Sequence, residues 1–161
     1  MFSQTSATTA PGDAAVRWPA GTRLPRGGDI TIATFVHPAC PSSRASLHEL
    51  AAIAAGPSVS INIVVTGPDV VGEIWDDAGR IAGAVRIIDD GREAARFGAL
   101  TSGYTVVYDR SGVRQFAGGI TGPRGHGGDN VGRDAVKQII AGLAPHDRAH
   151  PVFGCALDGE R

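Results

Sequence analysis

The sequence predicts an α/β domain built on a central mixed sheet flanked by helices. Three observations lead there. Short β-branched, apolar runs alternate with stretches of helical spacing along most of the chain. The last two strand-like runs are separated only by Arg110-Ser111-Gly112, which is room for a tight turn and no helix. One more helical stretch then follows. Strand–helix–strand alternation needs crossovers and therefore parallel pairing, whereas a tight hairpin is antiparallel. With 161 residues, 42% apolar and 19% charged, the chain is long enough to bury the core of one domain.

Residues 1–28 are rich in Ser, Thr, Ala, Gly and Pro and are expected to form a flexible tail, with Trp18 as a candidate to dock on the body. Residues 30–36 (ITIATFV) suit a buried strand. Residues 42–55 place Ala45, Leu47, Leu50, Ala51 and Ala54 on one helical face, and Gly56-Pro57 stops that helix. A second strand covers 59–65 (VSINIVV), and Gly67-Pro68-Asp69 makes a turn. Helical spacing over 70–82 turns Val71, Ile74, Trp75 and Ala78 inward. A short strand (85–90) and a short helix (91–98) closed by Gly98 come next. The hairpin pairs 105–109 with 113–119. A Gly-rich loop spans 118–132, and a last helix over 133–143 turns Ala135, Val136, Ile139, Ile140 and Leu143 inward. The order β-α-β-α-β-α-β-β-α is that of the thioredoxin architecture with an added strand–helix unit between its halves. The expected division is a tail over 1–28, a thioredoxin-like domain over 29–144 and an irregular C-terminal tail over 145–161 that carries Cys155.

The net charge of −1 and pI near 6.5 give no electrostatic footprint for nucleic acid or an acidic membrane. No apolar run reaches the ~20 residues that span a bilayer. Residues 1–17 lack a basic stretch followed by an apolar core, so they do not read as a signal peptide. They read as a polar tail of the kind left where an anchor or signal has been cut away, which leaves the compartment open.

The chemistry points to "FVHPACPSSRASLHEL", residues 35–50. Cys40 stands where a strand hands over to a helix. A thiol there faces unpaired backbone N–H groups and the positive end of the helix dipole, and both stabilise the thiolate, the attacking species in disulfide exchange. Pro41 rigidifies the turn. His37 and Arg44 are near enough in sequence to assist. The competing reading is a small buried residue with Ser42 or Ser43 capping the helix. Cys155 is the one other thiol in the chain. Joined to Cys40 it would close a loop of about 115 residues, worth ~4 kcal/mol in the chain-entropy model; unjoined, it is a free tail thiol.

A metal reading competes: His37, Cys40, His126 and Cys155 could together offer two imidazoles and two thiolates to zinc or copper. The loop GGITGPRGHGGDN is no P-loop, because no Gly-Lys-Ser/Thr follows, and no dinucleotide fingerprint is present. It reads as a demanding crossover into the last helix, with an anion cradle as the alternative. A peroxiredoxin would want threonine at His37.

Four stretches carry a resemblance: HPACPSSRASLHELA, FGALTSGYTVVYD, GGITGPRGHGGDNVGRDAV and the terminal HPVFGC. Together they resemble the RedB-like group of bacterial thioredoxin-fold proteins, over residues 17–156. Members read Cys-Pro-Cys after the His-Pro; here Ser42 replaces the second cysteine, and the C-x-x-C position of thioredoxins is Ser43. Tyr104 stands before Thr105 where the thioredoxin pattern has a cis-proline. The resemblance implies a redox protein acting on protein thiols or disulfides without a cofactor. It would be periplasmic, or membrane-anchored and facing the periplasm, with the cytoplasm left open by the residues themselves. Cys40 would be the nucleophile and Cys155 the resolving thiol. His37, Pro41, Ser42, Ser43, Arg44, Tyr104, Thr105, Arg124 and His126 would line the site. The alternatives are a copper- or zinc-binding accessory module, or a redox-inactive interaction module.

Overall fold

The computed structural model describes residues 15–53, 58–67, 72–121, 131–145 and 147–157. Arg124 and His126, Val71 and Ala54 lie outside them. The order is β1 (Ile30–Val36), α1 (Ser43–Ile53), β2 (Val59–Thr66), α2 (Glu73–Gly79), β3 (Ala84–Asp89), α3 (Arg92–Phe97), β4 (Tyr104–Asp109), β5 (Arg114–Gly118), α4 (Val131–Ile140) and β6 (Ala149–His150). The strands form one mixed sheet in the order β3-β2-β1-β4-β5-β6. β1, β2 and β3 run parallel, as helical crossovers demand, and β4 is antiparallel to both of its neighbours, β1 and β5. β1 is therefore central, and it leads directly into α1 between a parallel and an antiparallel partner.

The central strands β1, β2 and β4 are buried on both faces, which is why their residues read as continuous β-branched runs rather than alternating ones. Ile32, Val36, Ile63, Val65, Val107 and Phe116 face a core shared with α1, α2 and α4. Ala33, Phe35, Val64, Tyr104, Val106 and Tyr108 face a second core under α3 and the chain ends. Trp18 completes that second core, edge-on to Phe97 and Tyr108 with both ring centroids at 5.2 Å. The segment before β1 is held further by the fully buried Glu93 carboxylate, which accepts from Thr22 Oγ1 (2.5 Å), the Arg23 backbone N–H (3.2 Å) and Arg96 (2.8 Å).

Three details differ from the sequence reading. The buried stripe of α1 is Ser43, Ser46, Leu47, Glu49, Leu50 and Ile53, and Ala51 faces solvent. Glu49 is buried because Arg133 of α4 reaches it at 3.2 Å, so the helix is rolled towards α4. α4 itself starts at Val131 and stops at Ile140. Gly142 (φ +82°) donates to Ile139 and Leu143 donates to Gln138, a left-handed cap that leaves Leu143 exposed. The sixth strand was not expected: Ala149 and His150 pair in parallel with Ala117 and Gly118. No described helix is long and apolar enough to cross a membrane.

Candidate functional site

β1 ends at Val36 and the chain turns at once into α1. The turn is closed by Cys40 N–H donating to His37 O (3.2 Å) and Ser43 N–H donating to Cys40 O (3.1 Å). The Ser43 hydroxyl donates to His37 O (2.7 Å). The His37 Nδ1 accepts from the Ala39 N–H at 3.1 Å, which leaves the proton of a neutral ring on Nε2. Gly67, at the end of β2, lies against that ring; a Cβ there would stand 3.2 Å from His37 Nε2.

The loop before β4 supports the turn from behind. Ser102 Oγ accepts from the His37 N–H (2.9 Å) and meets Ser43 Oγ at 3.0 Å. Gly103 (φ +100°) donates to Phe35 O at 2.7 Å. Thr105 pairs its hydroxyl with that of Thr34 at 3.1 Å. Buried hydroxyls thus form a layer beneath the start of α1.

The tail closes the front. Ser102 N–H donates to Cys155 O (2.7 Å), Leu157 N–H donates to Leu100 O (2.9 Å), and Thr101 bridges Ala156 in antiparallel fashion. This pairing delivers Cys155 onto Cys40: the Cys155 backbone N–H donates to Cys40 Sγ at 3.3 Å. Ser42 Oγ lies 3.1 Å from Cys40 Sγ. Two polar neighbours therefore converge on one sulfur. Both thiols are free, and both residues are buried, Cys40 to 3% and Cys155 to 1% exposure. A cleft of about 440 Å³ approaches Cys40 from the other side, between Pro38, Ala39, Pro41 and Ile74. Arg44 stands at its rim, paired with Glu73 and Asp77 of α2.

Burial pushes the Cys155 thiol from 9.0 up to about 12, reinforced by its hydrogen bond to Cys40 and by charge on that sulfur. The Cys155 thiol accordingly keeps its proton at neutral pH. A group whose folded-state value is raised contributes stability that is complete below the unfolded value and is lost as pH rises through the folded one. The melting temperature of the reduced protein should therefore fall from about pH 9 upward, more steeply in the parent than in Cys155→Ser. Identical slopes in a calorimetric pH series would contradict this. Burial pushes Tyr108 up to about 12 as well and adds to the decline in both proteins.

Of the residues singled out from the sequence, His37, Cys40, Ser42, Ser43 and Cys155 meet in one cluster. Pro41 and Arg44 line the cleft, and Thr105 lies in the hydroxyl layer. Tyr104 begins β4 but sends its ring into the second core, where its hydroxyl has no hydrogen-bond partner and burial raises its pKa. Ser42 sits where a helix cap would, its carbonyl accepting from Ser46 N–H at 3.2 Å, but its hydroxyl is turned to Cys40. The sequence reading missed Ser102. The Thr-Ser-Gly stretch before a strand was the available sign of Ser102. Among the described residues no three His, Cys, Asp or Glu side chains converge as a metal group would require.

No family model matches the chain. No curated protein matches it. Solved structures do. An uncharacterized conserved protein from Geobacillus kaustophilus superposes with a TM-score of 0.68 at 16% identity, covering 98% of this chain and 95% of its own. A secreted Mycobacterium tuberculosis disulfide oxidoreductase homologous to E. coli DsbE gives 0.55 at 22% identity over 73% and 84% of the two chains. A thioredoxin-like protein from Aeropyrum pernix gives 0.56 at 15% identity over 81% and 89%. The fold is thioredoxin-like. In this thioredoxin-like chain the end of β1 and the start of α1 hold Cys40, and the second thiol comes from the far end of the sequence.

Proposed function

We propose that the protein is a thiol–disulfide redox protein of the RedB-like group, with Cys40 as nucleophile and Cys155 as resolving thiol. The observation that carries this is the direct contact of Cys155 with Cys40 Sγ through its backbone N–H, at 3.3 Å. In the reductive direction the Cys40 thiolate attacks one sulfur of a protein disulfide. A new Cys40–substrate bond forms and the other substrate sulfur leaves as a thiolate, which takes a proton from water. The Cys155 thiol gives up its proton and attacks Cys40 Sγ. The Cys40–Cys155 bond forms and the second substrate thiolate leaves. Two electrons pass from the pair to the substrate, and a dithiol protein would restore the pair. Every step uses sulfur and protons alone, so no cofactor is required. The copper or zinc reading needs His126, which lies outside the described residues, and the redox reading uses only groups already in contact. We read residues 29–144 as the working domain, completed by the tail, in a periplasmic setting.

Anaerobically reduced protein exposed to a model disulfide should lose both thiols together. The mass of the monomer should drop by about 2 Da, the two hydrogens of the pair, and peptide mapping should join Cys40 to Cys155. Retention of two thiols, or joining only between molecules, would refute the pairing.

A further inference from the structure

The tail that delivers Cys155 also closes the site. Val152 and Leu157 are buried in the second core, and the segment between them pairs through backbone atoms with residues 100–102. Gly154 lies so close that a Cβ there would stand 2.3 Å from Ser102 O and 3.1 Å from Ser42 Oγ. A backbone-to-backbone pairing is open to any extended chain, because it reads no side chain, while pockets beside it choose the sequence. The present occupant shows what those pockets accept: glycine before the cysteine and an apolar residue two places after it.

Resting on the reading of Cys40 as the reactive thiol, we propose that residues 150–157 are a built-in occupant of a peptide groove along Leu100–Ser102, and that Cys40 reacts with an outside partner only when an extended cysteine-bearing peptide replaces them. The tail is then both gate and resolving arm. It leaves to admit a substrate cysteine already held in a disulfide. The Cys40 thiolate attacks that sulfur, and the other sulfur of the substrate disulfide leaves as a thiolate. The mixed disulfide tethers the peptide to Cys40 until the returning tail brings Cys155 to attack Cys40 Sγ and the peptide leaves the groove as a thiol. The site selects peptides that resemble its own tail, with a glycine or no bulk before the cysteine.

The test uses the full chain, reduced and free of oxygen, with N-ethylmaleimide and peptide mapping to follow Cys40 alone. Gly154→Val forces the backbone contact apart, and Leu157→Asp expels the anchor on the far side. In both, Cys40 should be alkylated about tenfold faster than in the parent, or more, with circular dichroism unchanged, as expected for a local opening. A synthetic peptide of residues 149–157 carrying Cys155→Ser should then slow the reaction again in a saturable way, and a scrambled peptide should not. Equal Cys40 rates in parent and both variants would overturn the gate. Acceleration without protection by the peptide would overturn the groove. The parent pair failing to form a disulfide while the gate behaves as described would instead remove the redox reading and leave the gate standing.

Discussion

Cys155→Ser should turn a protein that releases its substrate into one that keeps it. With a disulfide-containing model peptide in excess, the variant is expected to accumulate a covalent adduct on Cys40 approaching one per chain, while the parent shows little. The reason lies in what surrounds the sulfur. Ser42 and Ser43 occupy the positions where a neighbouring second thiol would stand, and their hydroxyls are engaged with Cys40 Sγ and with His37 and Ser102. A serine hydroxyl is too weak an acid to supply an attacking anion at neutral pH, so neither can break the mixed disulfide. Cys155 is the remaining thiol of the chain and already touches Cys40. Cys40→Ser should give no adduct at all, and the double variant should match it. Intact mass under non-reducing conditions reads all three. An adduct in the parent as abundant as in Cys155→Ser would show that Cys155 resolves nothing.

Gly132→Ala should cost about 3 kcal/mol of stability, at the upper end for an inserted methyl. In isolation the change favours a helix by ~1 kcal/mol. Here it loses to a collision: a Cβ on Gly132, in the first turn of α4, would stand 1.8 Å from Gly119 O and 3.4 Å from the His150 side chain. The obstacle is backbone, so no rotamer relieves it, and α4 must move away from the strand end. A fall in melting temperature of roughly 6–12 °C follows for a domain of this size. Gly118 and Gly119 lie equally close to His150 and Pro151, so a shift of α4 should also loosen β6 and raise the reactivity of Cys40. A variant as stable as the parent in urea unfolding would show that α4 has room to yield.

Much of this was legible in the residues. The strand and helix order through β5 follows from apolar periodicity, and the position of Cys40 at the hand-over from β1 to α1 follows from Pro38, Pro41 and the helical stretch after them. The hairpin was marked by its three-residue turn. Other features were not legible because they are set by contacts distant in sequence. Nothing near Glu49 announces that Arg133 will bury it. The two residues of β6 are too few to show a period, and they pair only because Gly118 offers no side chain to their backbone. Ser102 joins the site through contacts with His37, Ser43 and Cys155, all more than fifty positions away in sequence. The direction in which Tyr104 points depended on the pairing register of β4 against β1, where it faces Phe35.

The two thiols stand 115 positions apart. At about 5–20 residues per second, a ribosome takes roughly 6–23 s between making the first and making the second. During that interval the nascent chain carries an unaccompanied cysteine, with neither the second thiol nor the covering segment yet made. A growing chain entering an oxidising compartment would meet foreign disulfides in that window, and its site would be completed only once residues 150–157 are made. Insertions that delay synthesis between Cys40 and Cys155 should lengthen the same vulnerable period.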